Sequence, residues 1–146
     1  MAEKDKTLKN KKAYFDYFVE DTYEAGLSLV GTEVKSARNG SVNLKDSYIR
    51  IKNGEAYVIN MHIAKYDNSS IFNHDEYRER KLLLHKKEIS KIKEAVSVAG
   101  LTVIPLEFYF KNDHAKLLIG LCKGKKLYDK RETIKKKDLL REESRR

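Results

Sequence analysis

The chain has little of what commonly stabilises small proteins from outside the core. Among its 146 residues there is one cysteine, Cys122, and one proline, Pro105. No apolar run approaches the roughly 18 residues that a membrane span requires. A single thiol cannot close an intramolecular disulfide, and without a paired Cys/His set there is no zinc finger or ribbon. The opening stretch MAEKDKTLKNKK is charged and leads into no apolar segment with a small-residue cleavage site, so the expected location is the cytoplasm. With 40% apolar and 36% charged residues, the length favours one compact domain around one core.

What is abundant is positive charge, and it is unevenly placed. Lys and Arg number 31 against 22 acids. Residues 1–12 hold five lysines and two acids, and residues 123–146 hold eleven bases and five acids, leaving fifteen of each in 13–122. A neutral body with basic ends suits a protein whose tails follow a polyanion, with nucleic acid the commonest candidate. The plainer reading, two solvated ends that bind nothing strongly, has nearly equal weight on charge alone. The expected division is a flexible basic segment at 1–12, a folded body at 13–122, and a basic tail at 123–146, disordered in isolation.

Along the body, AYFDYFVEDTYEAGLSLV (13–30) is aromatic and β-branched with a turn offered at Asp21-Thr22, and reads as two strands. GTEVKSARNG between Gly31 and Gly40 suits a short helix. Asn53-Gly54 between two alternating runs is the strongest hairpin signal. Residues 65–79 are polar and loop-like, and the short apolar run Leu82-Leu83-Leu84 follows. Ile89, Ile92, Val96 and Ala99 recur at helical spacing, with Gly100 as a stop. LTVIPLEFYFKN and HAKLLIGLCKG then read as two strands joined at Asn112-Asp113, with Pro105 marking an edge or a bulge. Five to seven short strands with one substantial helix and one or two short ones predict a mainly β fold, a small antiparallel OB-like β-barrel. A helix-plus-sheet α+β sandwich fits nearly as well.

Catalytic patterns are missing. His62, His74, His85 and His114 are scattered, none at the i, i+4 spacing of a helical metal pair. The stretch from Gly120 to Lys126 is one residue short of a phosphate-binding loop and has Lys126 where Ser or Thr must reach magnesium. Cys122 sits in an alternating apolar run and reads as a buried small hydrophobe. Asn68-Ser69-Ser70 is a formal glycosylation acceptor that matches by chance. No enzyme class, cofactor or metal is implied. What stands out are cations and amides beside aromatics: Lys35 and Arg38, Arg80 and Lys81, and the tail. These are the residue types that hold phosphate and stack on unpaired bases, although one at a time each is more simply a solvated charge.

Four ordered stretches, EAGLSLVGTEVKSARNG (24–40), DSYIRIKNGEAYV (46–58), RKLLLHKKEI (80–89) and GKKLYDKRETIKKKD (124–138), resemble the SmpB family, the SsrA-binding proteins of bacteria. The resemblance spans residues 10–138. It implies an OB-like barrel that binds the tRNA-like domain of tmRNA and delivers it to stalled ribosomes, with a tail entering the vacant mRNA channel near the decoding centre. Elongation factor Tu is implied as an indirect partner through alanyl-tmRNA. By resemblance the RNA-contacting positions are Glu24, Leu83 and His85, with Lys35, Arg38, Arg80 and Lys81 on phosphate. The plainer roles are a surface ion pair for Glu24, core for Leu83 and a helix start for His85. In the tail, Gly124, Lys125, Lys126, Tyr128, Asp129, Lys130 and Arg131 match the ribosome-engaging stretch. The different-class alternative is a barrel that binds ribosomal or single-stranded RNA without selectivity through a cationic tail.

Overall fold

The computed structural model describes residues 7–66 and 73–125. In chain order the elements are β1 (Leu8–Lys9), α1 (Lys11–Asp16), β2 (Tyr17–Leu27), α2 (Gly31–Arg38), β3 (Val42–Asn43), β4 (Tyr48–Lys52), β5 (Glu55–Ile59), β6 (His62–Ile63), β7 (Arg80–Leu83), α3 (Lys86–Ser97), β8 (Thr102–Lys111) and β9 (His114–Gly124). Seven strands form one antiparallel sheet in the order β1-β8-β9-β2-β7-β5-β4, and β3 pairs with β6 separately. The sheet curls until β4 approaches β8. No ladder joins those two strands among the described residues, so the expected barrel is not closed by hydrogen bonds.

Turn chemistry makes both hairpins. Asn53 and Gly54 take φ of 51° and 77°, and Asn112 and Asp113 take 51° and 66°, the left-handed pairs that two-residue turns between right-twisted strands demand. The predicted short helix and the two closing strands stand as α2, β8 and β9. Pro105 marks a bulge: Pro105 pairs with Ile119 and Glu107 with Leu118, leaving Leu106 as the extra residue.

Three expectations are corrected. The region 13–30 is not two strands, because its start folds into α1 and the rest is a single long strand. Asn10 caps α1 by accepting from the Ala13 N–H at 3.2 Å, and its own amide donates to the Pro105 carbonyl at 2.9 Å. Instead of turning at Asp21-Thr22, β2 absorbs a bulge between Val19 and Asp21 and continues along β9. The body also begins earlier than residue 13: Leu8 and Lys9 pair with Phe108 and Glu107, and Asn10 is buried. Charge counts do not register this, since a single edge ladder and one cap hold the segment. Finally, α3 buries Ile89 and Ile92 and ends at Ser97, so Val96 is exposed and Ala99 lies beyond the helix.

Two apolar clusters result. The larger lies on the concave side of the sheet, where Ala25, Leu27, Val58, Leu82, Phe108, Leu117 and Ile119 meet side chains of α2 and α3. The smaller, on the other side, packs Ala13 of α1 on Ile104, Leu106 and Cys122. Burial pushes the Cys122 thiol up to about 11, so it behaves as the small hydrophobe its setting suggests.

Candidate nucleic-acid interface

Strand alternation sorts the sheet into an inner face and an outer one. On β2, Ala25 and Leu27 go inward, so Glu24 and Gly26 go outward. On β7, Arg80 and Leu82 are inward while Lys81 and Leu83 are outward. Gly26 pairs with Leu83, and a Cβ on Gly26 would come within 3.2 Å of the Leu83 Cβ. Glu24, two residues along, is therefore a diagonal neighbour of Leu83 on one continuous surface. Leu83 is 56% exposed, which removes its core reading. Lys81, Leu83 and His85 line one shallow depression of about 300 Å³ together with Glu55. His85 is the N-cap residue of α3, and its backbone N–H donates to Glu88 at 3.0 Å, so the helix-start reading holds while its ring stays at the surface.

Glu24 is held by its neighbours on the outer face. The Tyr109 hydroxyl donates to Glu24 Oε2 at 2.5 Å, and Lys111 Nζ stands 3.6 Å from Oε1. The Tyr109 hydrogen bond holds the Glu24 carboxyl below its usual range, against a burial effect in the other direction, and Lys111 and Lys116 add to the lowering. Burial and the adjacent carboxylate push the Tyr109 hydroxyl up. The result is an ionised carboxylate with fixed orientation and spare lone pairs, able to accept from a base amine or a 2′-hydroxyl.

The remaining predicted cations separate into different settings. Lys35 and Arg38 are exposed on α2, away from the Leu83 depression. Lys35 Nζ lies 5.5 Å from the Tyr66 ring centroid, and the Arg38 guanidinium is 4.3 Å from that of Phe110 with Asp113 Oδ1 at 3.4 Å. Lys81 is outward with Glu55 at 3.7 Å. Arg80 is a correction: its side chain is fully buried, its Nε donates to Glu33 Oε2 at 2.7 Å, and its Nη1 donates to the Met61 carbonyl. Arg78 completes the cluster, donating to Glu33 Oε1 at 2.7 Å. A guanidinium committed to an interior carboxylate is not available to phosphate. Gly124 ends β9 opposite Tyr17, and Lys125 Nζ lies over the Phe18 ring at 5.1 Å. Lys126, Tyr128, Asp129, Lys130 and Arg131 fall outside the described residues, as does Asn68-Ser69-Ser70.

With this geometry in place, the family comparison is decisive. The family model described as SmpB protein matches residues 7–146. The chain belongs to the SmpB family. It is 54% identical to the SsrA-binding protein of Acetivibrio thermocellus, over all of this chain and 96% of that one. It is 57% identical to the SsrA-binding protein of Bacillus cereus, over 91% of this chain and 86% of the relative. A chain in the solved structure described as "tmRNA-SmpB: a journey to the center of the bacterial ribosome" is 47% identical, with a TM-score of 0.70, covering 82% of this chain and 84% of that one. The SmpB resemblance read from four stretches is thereby established.

Sequence reasoning missed Tyr109, Lys111 and Lys116, the residues that surround Glu24 in this SmpB-family chain. Alternation in FYFK already sets Tyr109 and Lys111 opposite Phe108 and Phe110. What it lacks is the strand order β8-β9-β2, which brings them to Glu24.

Proposed function

We propose that this chain is a non-enzymatic RNA-binding adaptor of ribosome rescue: it binds the tRNA-like domain of tmRNA with the outer face of its sheet and delivers it to stalled ribosomes. Family membership supports the partner, since the relatives are SsrA-binding proteins and the matched solved structure is a tmRNA-SmpB assembly on the ribosome. The observation that carries the assignment to this face is Leu83, an aliphatic side chain more than half exposed on a sheet, beside an ionised and immobilised glutamate. An apolar platform next to a fixed acceptor suits an unstacked base, because stacking needs a flat dry contact and base edges need a positioned hydrogen-bond partner. Glu24, Leu83, His85 and Lys81 form the centre of the contact, and Lys35 and Arg38, on α2 away from this centre, hold phosphate. The curled sheet acts as an OB-like body. Residues 123–146 form the tail that enters the vacant mRNA channel near the decoding centre, with Gly124, Lys125, Lys126, Tyr128, Asp129, Lys130 and Arg131 engaging the ribosome. Elongation factor Tu joins through alanyl-tmRNA, and the complex works in the cytoplasm.

The test is binding of the full chain and of Leu83→Ala to labelled tmRNA and to an unrelated folded RNA across a salt series. The expected outcome is a preference for tmRNA that shrinks by about tenfold or more in Leu83→Ala, since burying an aliphatic side chain such as leucine is worth roughly 1.5–3 kcal/mol. Equal affinity of the wild-type chain for both RNAs would replace this reading with non-selective cationic binding.

A further inference from the structure

Helix α3 emerges directly from the proposed interface. Leu83 and His85 lie immediately ahead of its first residue, Lys86. Its twelve residues extend about 18 Å. Ile89 and Ile92 are its buried anchors, while Lys86, Lys87, Ser90, Lys91, Lys93 and Ser97 are exposed, with Lys86 and Lys93 along one line of the helix and Lys87 and Lys91 along another. Among the described residues none of the four lysines makes an ion pair. Three lysines on the outer face of the sheet are paired: Lys52 meets Glu79 at 2.8 Å, Lys81 meets Glu55 at 3.7 Å and Lys111 meets Glu24 at 3.6 Å. Of the two acids in α3, Glu88 is turned back to accept from the His85 N–H, which leaves Glu94 alone on the solvent side.

This distribution works against the helix itself. Lys86 and Lys87 stand in the first turn, where the helix dipole disfavours positive charge, while the last turn, where lysine is favoured, contains no base. Lys87 and Lys91 are like charges at i, i+4. Such local conflicts are expected where a surface is shaped by a ligand rather than by stability. The body of this chain is neutral in sum with α3 included, so a basic helix beside the candidate base-contacting residues is a directional feature.

We infer that the solvent face of α3 is an RNA-docking surface: Lys86, Lys87, Lys91 and Lys93, with the Ser90 hydroxyl, lie along the phosphate backbone of the tRNA-like domain of tmRNA whose base contacts Glu24, Leu83 and His85. The inference rests on the function proposed above and adds to it a second, sequence-independent contact. Base-edge and stacking contacts at Leu83 give discrimination, and the α3 lysines set register and supply salt-sensitive affinity.

The experiment uses the full chain carrying Lys86→Gln, Lys87→Gln, Lys91→Gln and Lys93→Gln together, since glutamine keeps helix propensity. A control variant neutralises four exposed lysines elsewhere, Lys9, Lys11, Lys45 and Lys65, so both lose the same charge. Binding to the isolated tRNA-like domain is followed between about 50 and 300 mM salt, with circular dichroism checking the fold. The α3 variant should lower the slope of log affinity on log salt by about 2–3 and weaken binding by 10–100-fold at about 150 mM, with the preference over unrelated RNA retained. The pairs Lys86/Lys93 and Lys87/Lys91, replaced separately, should each give about half the change, which keeps the test open should the fourfold variant misfold. Equal losses in the control variant would reduce the effect to net charge and overturn the inference. Unchanged binding in the α3 variants alongside a loss in Leu83→Ala would overturn it while leaving the interface standing, and unchanged binding in both would remove the outer-face reading itself. Intact binding to the RNA with weakened binding to ribosomes would also overturn it, by assigning the lysines to ribosomal RNA.

Discussion

Arg80 and Lys81 are neighbours in sequence and opposites in role, and the difference is set by one step of strand alternation. Leu82 and Leu27 must both face the core, which sends Lys81 out and Arg80 in. Two adjacent cations before an apolar run look alike until the register of β7 is known, and the acid that receives Arg80 lies 47 positions away in α2. Burial raises the Glu33 carboxyl, but hydrogen bonds from Arg78, the Val30 N–H and Arg80 outweigh it and hold the group below its ordinary value. Since the folded-state value is the lower one, the unfolded chain takes up the proton first as pH falls. This contribution is whole above about pH 4.3 and is lost as pH drops through the folded value. Glu33→Gln leaves Arg80 buried without a counter-charge, at an expected cost of about 3–5 kcal/mol in urea unfolding at neutral pH. The gap between wild type and variant should narrow below about pH 4, and a gap that stays constant with pH would show that Glu33 does not titrate as argued. Tyr109→Phe makes a second residue-scale prediction. Losing the donor to Glu24 should raise that carboxyl toward its usual range and weaken tmRNA binding by about tenfold, with stability lowered by no more than about 1.5 kcal/mol. Side-chain carboxyl titration by NMR together with RNA binding checks it, and unchanged affinity would remove Tyr109 from the interface.

At the scale of elements, the turns and the closing hairpin are legible because Asn-Gly and Asn-Asp have few alternatives, whereas α1 is not. Its residues, KKAYFD, set good helix formers (Lys11, Lys12, Ala13) before two aromatics, and the alternation of Phe15, Tyr17 and Val19 points to a strand. What converts the segment is tertiary: the Asn10 cap is tied to the Pro105 carbonyl, and Ala13 fits the small cluster around Leu106. That cluster exists because the bulge turns Leu106 toward Gly120, where a Cβ would stand 2.7 Å from Leu106 Cδ1. Gly120→Ala should therefore overpack this side of the sheet and destabilise the protein by about 1–3 kcal/mol. Thermal unfolding measures the loss, and a variant as stable as wild type would mean that Leu106 moves aside without strain.

For the whole molecule, the division of charge and the division of labour coincide. Described residues 7–66 and 73–125 contain the seven-stranded sheet and both apolar clusters, while residues 126–146 hold nine bases and five acids. Charge counting locates that tail without any structure, but it cannot show that the body, neutral in sum, carries four exposed lysines on α3 directly after Leu83 and His85. Selection and grip should therefore separate on truncation. A chain ending at Lys125 should keep its preference for tmRNA over an unrelated folded RNA, since the Glu24–Leu83–His85 surface is untouched. It should also bind both RNAs more weakly, with a salt slope reduced by about 3, because a cationic segment releases counterions from any RNA it follows. Binding isotherms of both chains over one salt series decide the matter. Loss of preference on truncation would place recognition in the tail, whereas an unchanged slope would show that the tail stays off free RNA and meets phosphate only on the ribosome.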